Sequence, residues 1–114
     1  MADSDCLFCR VVSGDLPADV VRQGERVLAF RDIDPKAPTH VLVIPREHHR
    51  SVADLAENDP QTLAELITAA RTVASGDGHD EFRLVFNTGA RSGQSVFHVH
   101  GHVLAGRDMT WPPG

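Results

Sequence analysis

No stretch of this chain approaches the roughly 18 consecutive apolar residues that a membrane-spanning helix requires, so a membrane partner is not expected. It also lacks any block of lysine or arginine: 11 basic residues are scattered against 16 acidic ones, for a formal net charge of −5. Without such a block, neutralising a nucleic-acid backbone has no counterpart here, and neither DNA nor RNA is an expected partner. A small anionic ligand stays open, because one site can be locally positive in an acidic chain. Residues Met1 to Asp5 are short and acidic and do not read as a signal peptide, so a soluble cytoplasmic protein is expected. With 114 residues, 41% of them hydrophobic, there is material for one domain with one core.

Cysteine is scarce as well. The only two form Cys6-Leu7-Phe8-Cys9. Thioredoxin-like redox sites use this spacing, but after a strand in a βαβ setting, and nothing precedes the pair here. Half of a zinc site, its other ligands elsewhere, is the better reading. Two buried thiols acting as small hydrophobes is the alternative.

What is present begins with a mostly apolar helix candidate over residues 6–13, stopped at Gly14. Val20-Val21-Arg22 and Val27 to Arg31 read as a hairpin around the turn Gln23 to Arg26. Residues 32–39 form a loop stiffened by Pro35 and Pro38, and loops held rigidly beside strand ends carry binding groups. Asp32 offers that loop a carboxylate, able to accept from a vicinal diol or merely to hold a turn. The run His40 to Pro45 is the clearest core strand, opened by an imidazole. Ser51 to Glu57 looks like a short helical turn.

Asp59 and Pro60 then start the long amphipathic helix. Leu63, Leu66, Ile67, Ala70, Val73 and Ala74 are spaced to cover a sheet, with Gln61, Thr62, Glu65, Thr68 and Arg71 on the other face. Phe82 to Asn87 is another strand. The glycine-bearing loop Thr88 to Ser95 after it can present backbone N–H groups to a phosphate. The tail after Leu104 has no helix or strand pattern and holds the single tryptophan, Trp111, which needs a place to dock. Hairpin-linked strands predict an α+β fold: a five-stranded antiparallel sheet with one long and one short helix, one face covered and one open to ligand.

The most informative stretch is Phe97-His98-Val99-His100-Gly101-His102-Val103-Leu104. On an extended strand, His98, His100 and His102 share one face, while Phe97, Val99 and Val103 point to a core. A solvated strand face, a metal site and imidazole acid–base or nucleophilic chemistry all fit this row.

The row His98-Val99-His100-Gly101-His102-Val103-Leu104 resembles the His-φ-His-φ-His-φ-φ signature of the histidine triad (HIT) nucleotide hydrolases and transferases, with Gly101 where a bulkier apolar residue is usual. Leu28 to Ile33, Ala37 to Pro45, Asn87-Thr88-Gly89 and Gly93 to Phe97 fall in the same order as that family's blocks, and Trp111-Pro112-Pro113-Gly114 looks like the ending of its Hint branch, the purine nucleoside phosphoramidases. The resemblance implies a single HIT domain over residues 1–114, with 105–114 an extended C-terminal tail. It implies a homodimer, with the long helix and a central strand paired across a two-fold axis and the tail reaching the partner's site. It also implies hydrolysis of purine nucleoside 5′-phosphoramidates, with an AMP- or GMP-like ligand. His100 would be the nucleophile, forming a nucleotidyl-histidine intermediate. His102 and His40 would donate to the phosphoryl oxygens together with Asn87, and Ser95 would help protonate the departing amine. Asp32 would take the ribose hydroxyls and Phe8, Phe30 and Ile33 would line the base pocket. Gly93, Gln94, Ser95 and Val96 would contribute to nucleotide binding. Catalysis would need no cofactor. A structural zinc would be held by Cys6, Cys9, His98 and either His48 or His49. A dinucleoside polyphosphate hydrolase or nucleotidyl transferase on the same scaffold is the alternative activity, and a nucleotide-binding scaffold protein the non-enzymatic one.

Overall fold

Local sequence sets the element boundaries. Cys6 is extended at the start of α1 (Leu7–Ser13), its sulfur accepts the Cys9 N–H, and Gly14 closes the helix. Strands β1 (Val20–Gln23) and β2 (Val27–Arg31) make the expected hairpin, and β3 (Thr39–Pro45) is the β-branched run, buried at every position. Ser51 caps α2 (Val52–Asn58) by accepting the Asp54 N–H, so the turn expected there is a helix in its own right. Asp59 caps α3 (Pro60–Gly76) in the same way, accepting the Thr62 N–H. Strand β4 (Arg83–Phe86), a 3₁₀ turn (Ala90–Ser92) and β5 (Gly101–Ala105) complete the chain, giving three α-helices where one long and one short were expected. The computed structural model describes residues 5–114. The reading of the chain's start as free of a signal peptide lies mainly outside the described residues. Among the described residues, no helix is long and apolar enough to cross a membrane.

The five strands are antiparallel in the order β1-β2-β3-β5-β4, which puts β3 at the centre and β4 at an edge. Side-chain alternation divides the molecule into two cores. Val27, Ala29, Val41, Val43, Val99 and Val103 face α3, packing on Leu66, Ala69, Ala70, Val73 and Ala74, with Leu55 of α2. Leu28, Phe30, Leu42 and Ile44 face the other way, onto Phe8, Cys9 and Val11 of α1. The second sheet face is therefore only partly open: α1 covers one end of it.

Two helix residues depart from the expected faces. Thr62 is buried because its hydroxyl bonds the Asp59 carboxylate that caps α3, so its polar atom is satisfied inside the first turn. Ile67, expected on the covered face, is exposed.

The C-terminal end of α3 is tied to the sheet by Asp77. Arg31 of β2 donates to both its oxygens, at 2.8 and 3.1 Å, and the Thr39 hydroxyl of β3 donates at 2.7 Å. These donors hold the Asp77 carboxyl down to about 2. A folded value below the unfolded one contributes stability at neutral pH that is lost as pH falls through about 2. Asp77→Asn should destabilise the protein by about 1 kcal/mol at pH 7, a figure kept small because Arg31 is partly solvated. The difference from the unmodified protein should shrink toward pH 2. Equal urea midpoints at pH 7 would contradict this.

Candidate active site and metal centre

The histidine row lies on one sheet face, as alternation requires, but it is not one regular strand. Ladder pairing begins only at Gly101, and the backbone bends over residues 96–98. Val99 is still directed to the α3 core, and its N–H donates to the His49 carbonyl at 2.8 Å. Phe97, expected in the core, is instead part-exposed with the Arg50 guanidinium 4.6 Å from its ring centre. Each of the three imidazoles meets different neighbours along the face.

Each ring has its tautomer set by a partner of known polarity. His98 Nε2 lies 2.8 Å from the Pro45 carbonyl, so that nitrogen carries the proton and Nδ1 keeps its lone pair. His100 Nδ1 lies 2.9 Å from the His98 carbonyl, so Nδ1 carries the proton and Nε2 keeps the lone pair. His40 Nδ1 accepts the Lys36 N–H at 3.0 Å, which puts the His40 proton on Nε2, from where it donates to His102 Nδ1 at 2.9 Å. The remaining His102 proton is then on Nε2. Burial pushes all four below the ordinary imidazole range: His98 and His102 fall to about 4, and His40 and His100 shift down as well. All four are neutral at pH 7. Asp32 Oδ2 at 3.4 Å from His40 Nε2 is accordingly not an ion pair.

The His98 lone pair faces sulfur. Its Nδ1 is 3.4 Å from Cys6 Sγ and 3.5 Å from Cys9 Sγ, and His48 Nδ1 is 3.4 Å from Cys9 Sγ. All four donor atoms lie within 4.8 Å of one another. A tetrahedral zinc with ordinary Zn–S and Zn–N bonds needs S···N separations of about 3.6 Å, so the residues fit the ion. Burial pushes the Cys6 thiol up, and a dication is what would let two sulfurs ionise in such a place. The Pro45 carbonyl on the far nitrogen of His98 is the outer partner that a ligating imidazole ordinarily has. The geometry thus selects His48 over His49, whose Nε2 is buried 3.2 Å from Glu47 Oε1 without hydrogen-bond geometry. Asp32, His40 and His102 are also close enough to hold an ion. They fit one poorly, because the His40 nitrogen facing this cluster carries the proton while its lone pair accepts from Lys36 N–H.

Beside His40 and His102 opens a cleft of about 500 Å³, also lined by Asp32 and Asn87. Sequence reasoning missed Lys36, Arg83 and Arg107, which line it too. Asp34 lines it with Asp32, and Lys36 pairs with Asp34 at 2.8 Å, so three cations face two carboxylates; an arginine just after the histidine strand was the available signal for Arg107. Met109, Thr110 and Pro113 of the tail complete it, and Arg83 donates to the Thr110 carbonyl at 2.9 Å. The tail so docks on its own chain, while Trp111 remains exposed.

The other expected site residues are distributed unevenly. Asp32 Oδ1 accepts the Asp34 N–H at 2.8 Å, the turn-holding use, leaving Oδ2 toward His40. His40 cannot donate directly to a phosphate as expected, because its one N–H is engaged with His102. Phe8 and Phe30 are buried and stack edge to face at 5.5 Å, whereas Ile33 stands fully in solvent. Gln94 is buried, its carbonyl accepting the Gly89 N–H and its amide donating to the Arg50 and Val96 carbonyls, so the side chain shapes the loop from within. Gly93, at φ +100°, ends the 3₁₀ turn in a conformation that L side chains rarely adopt. Ser95 and Val96 line a separate pocket with His48, Arg50 and Phe97. Gly101 has a steric reason: a Cβ there would lie 3.0 Å from Leu84 Cδ1 and 3.1 Å from the Phe86 ring.

Comparison with known proteins bears on the family and the fold. The HIT domain family model matches residues 13–109. A 14 kDa zinc-binding protein of Zea mays is 43% identical over 115 residues, spanning 98% of this chain and 90% of the maize protein. The crystal structure of a HIT family hydrolase from Legionella pneumophila Philadelphia 1 superposes with a TM-score of 0.91 at 47% identity, covering 96% of this chain and 99% of that one. A histidine triad protein from Clostridium difficile gives a TM-score of 0.90 at 36% identity, over 96% and 97%.

The donor set generates a direct expectation. Freshly purified protein should carry about one zinc per chain, and Cys9→Ser should lose most of it, as read by elemental analysis. Stripping the metal should lower Tm by roughly 4–8 °C for each kcal/mol of linkage lost. Metal-free protein with an unchanged Tm on adding zinc would count against the site.

Proposed function

The chain belongs to the HIT family, and on that premise we propose that it hydrolyses purine nucleoside 5′-phosphoramidates through a nucleotidyl-histidine intermediate. The observation that carries the reading is the His100 hydrogen bond to the His98 carbonyl, which leaves the Nε2 lone pair of a neutral imidazole unengaged. A neutral imidazole is a nucleophile that needs no separate base.

In the proposed reaction His100 Nε2 attacks the α-phosphorus and the P–N bond breaks. The amine leaves with a proton, for which Ser95 is the proposed conduit. Water then adds to phosphorus, one of its protons restoring the proton that Ser95 passed on, and His100 departs with its lone pair restored. His102 Nε2–H donates to the phosphoryl oxygens, with Asn87 beside it in the cleft. His40 acts through His102, fixing which nitrogen carries the proton. Asp32 Oδ2 takes the ribose hydroxyls, and exposed Ile33 is an apolar surface that a base would cover. Gly93 and the loop through Val96 cradle the phosphate from the backbone side. A zinc on Cys6, Cys9, His48 and His98 would be structural, holding α1 to the histidine row, with no part in bond breaking. We also propose a cytoplasmic homodimer in which α3 and a central strand pair across a two-fold axis, a reading favoured by the exposed Ile67 of α3 and the unpaired edge at β4.

Turnover of an adenosine phosphoramidate compared with a diadenosine polyphosphate tests the reaction; cleavage of only the latter would move the activity to the alternative branch. His100→Ala should lower turnover by about a thousandfold or more while AMP affinity changes little, and His102→Ala by about a hundredfold. Unchanged turnover in His100→Ala would end the mechanism. Sedimentation at micromolar concentration should give a dimer; a monomer there would remove the assembly.

A further inference from the structure

The cysteine cluster and His100 are joined by two direct contacts. One is backbone: His98, whose ring meets both sulfurs, supplies the carbonyl that accepts from His100 Nδ1 at 2.9 Å. The other is a side chain. Phe8 stands between Cys6 and Cys9 on α1 and is buried. Its ring meets His100 edge to face, with centroids 5.0 Å apart and planes at 84°, and meets His98 at 6.1 Å. Behind it Phe30 packs at 5.5 Å, so the Phe8 ring has little room to withdraw.

His100 needs such a wall. Among the described residues its ring makes one side-chain hydrogen bond. The torsion that turns an imidazole about its Cβ–Cγ bond is broad, so a single bond to Nδ1 leaves the ring plane loosely set. A ring turned over would present carbon where the Nε2 lone pair should be. Edge-to-face packing from one side, with the His102 ring 5.0 Å away as a second neighbour, restricts that turn.

We propose that Phe8 is a positioning residue for the reaction: held between the two cysteines of the metal cluster, it sets the plane of His100, so that the cluster aligns the nucleophile as well as anchoring α1. This rests on the proposed nucleophilic role of His100. It differs from a base-pocket role for Phe8, which would act on substrate affinity.

The test uses the zinc-loaded protein and its Phe8→Leu variant, with Phe8→Met as a second substitution if the first fails to fold. Three quantities are read: kcat and KM with an adenosine phosphoramidate, zinc per chain, and the ring-nitrogen NMR spectrum of His100. Zinc should be retained, kcat should fall about tenfold and KM should change by less than about twofold. The His100 spectrum should pass from a single Nδ1–H tautomer to a mixture. Stripping zinc from the unsubstituted protein should produce the same mixture, and reloading should reverse it. A raised KM with unchanged kcat, or a single tautomer in both the variant and the stripped protein, would overturn the proposal. If the unsubstituted protein cleaves no phosphoramidate, the functional reading fails, and the nitrogen spectra still decide the positioning claim.

Discussion

Backbone carbonyl and amide groups decide what each histidine can do. Four imidazoles of the same chemical type crowd one sheet face, and left to themselves each would exchange between two tautomers. The Pro45 carbonyl, the His98 carbonyl and the Lys36 amide remove that freedom. The result is a lone pair aimed at two sulfurs from His98, an unengaged lone pair at Nε2 of His100, and a protonated outer nitrogen on His102. Burial keeps all of them neutral, so lone pair and N–H have separate owners at pH 7.

That arrangement depends on the two cores. The α3 side holds β2, β3 and β5 flat against a helix through small and branched residues, and Asp77 locks the end of that helix to β2 and β3. On the opposite side α1 covers only one end of the sheet. Its two cysteines and Phe8 fill the space over His98 and His100, whereas His102 and His40 lie beyond it, beside a cleft lined by both basic and acidic side chains. One continuous face thereby carries a sulfur-lined end and an end that opens on the cleft.

Much of this could be read from residue order. The helix starts at Cys6 and Asp59, the stop at Gly14, the hairpin and the buried β3 run all follow from capping chemistry and side-chain periodicity, which act over a few residues. The Cys-x-x-Cys pair and the alternating histidines pointed to a sulfur–nitrogen cluster and a face of imidazoles, and folding brings Cys6, Cys9, His48 and His98 together. Less legible were the residues whose roles need a partner far along the chain. Thr62 is a local exception, read as exposed although its hydroxyl bonds the Asp59 cap three residues back. Phe97 looked like core because alternation was extended through a bend. Gln94 looked like a ligand contact, yet its amide is engaged by three backbone groups, one of them 44 positions away at Arg50.

Sequence alone determined the α+β class, the shared face of His98, His100 and His102, and the residue types available for metal and phosphate, because alternation and capping are local. Only the tertiary structure placed His48 rather than His49 against the cysteines, brought Lys36, Arg83 and Arg107 to the cleft, and gave three like imidazoles different partners. Those outcomes turn on hydrogen-bond polarity between groups brought together by folding. Pro45 and His98 are 53 positions apart, and no pattern along the chain records which nitrogen a distant carbonyl will meet.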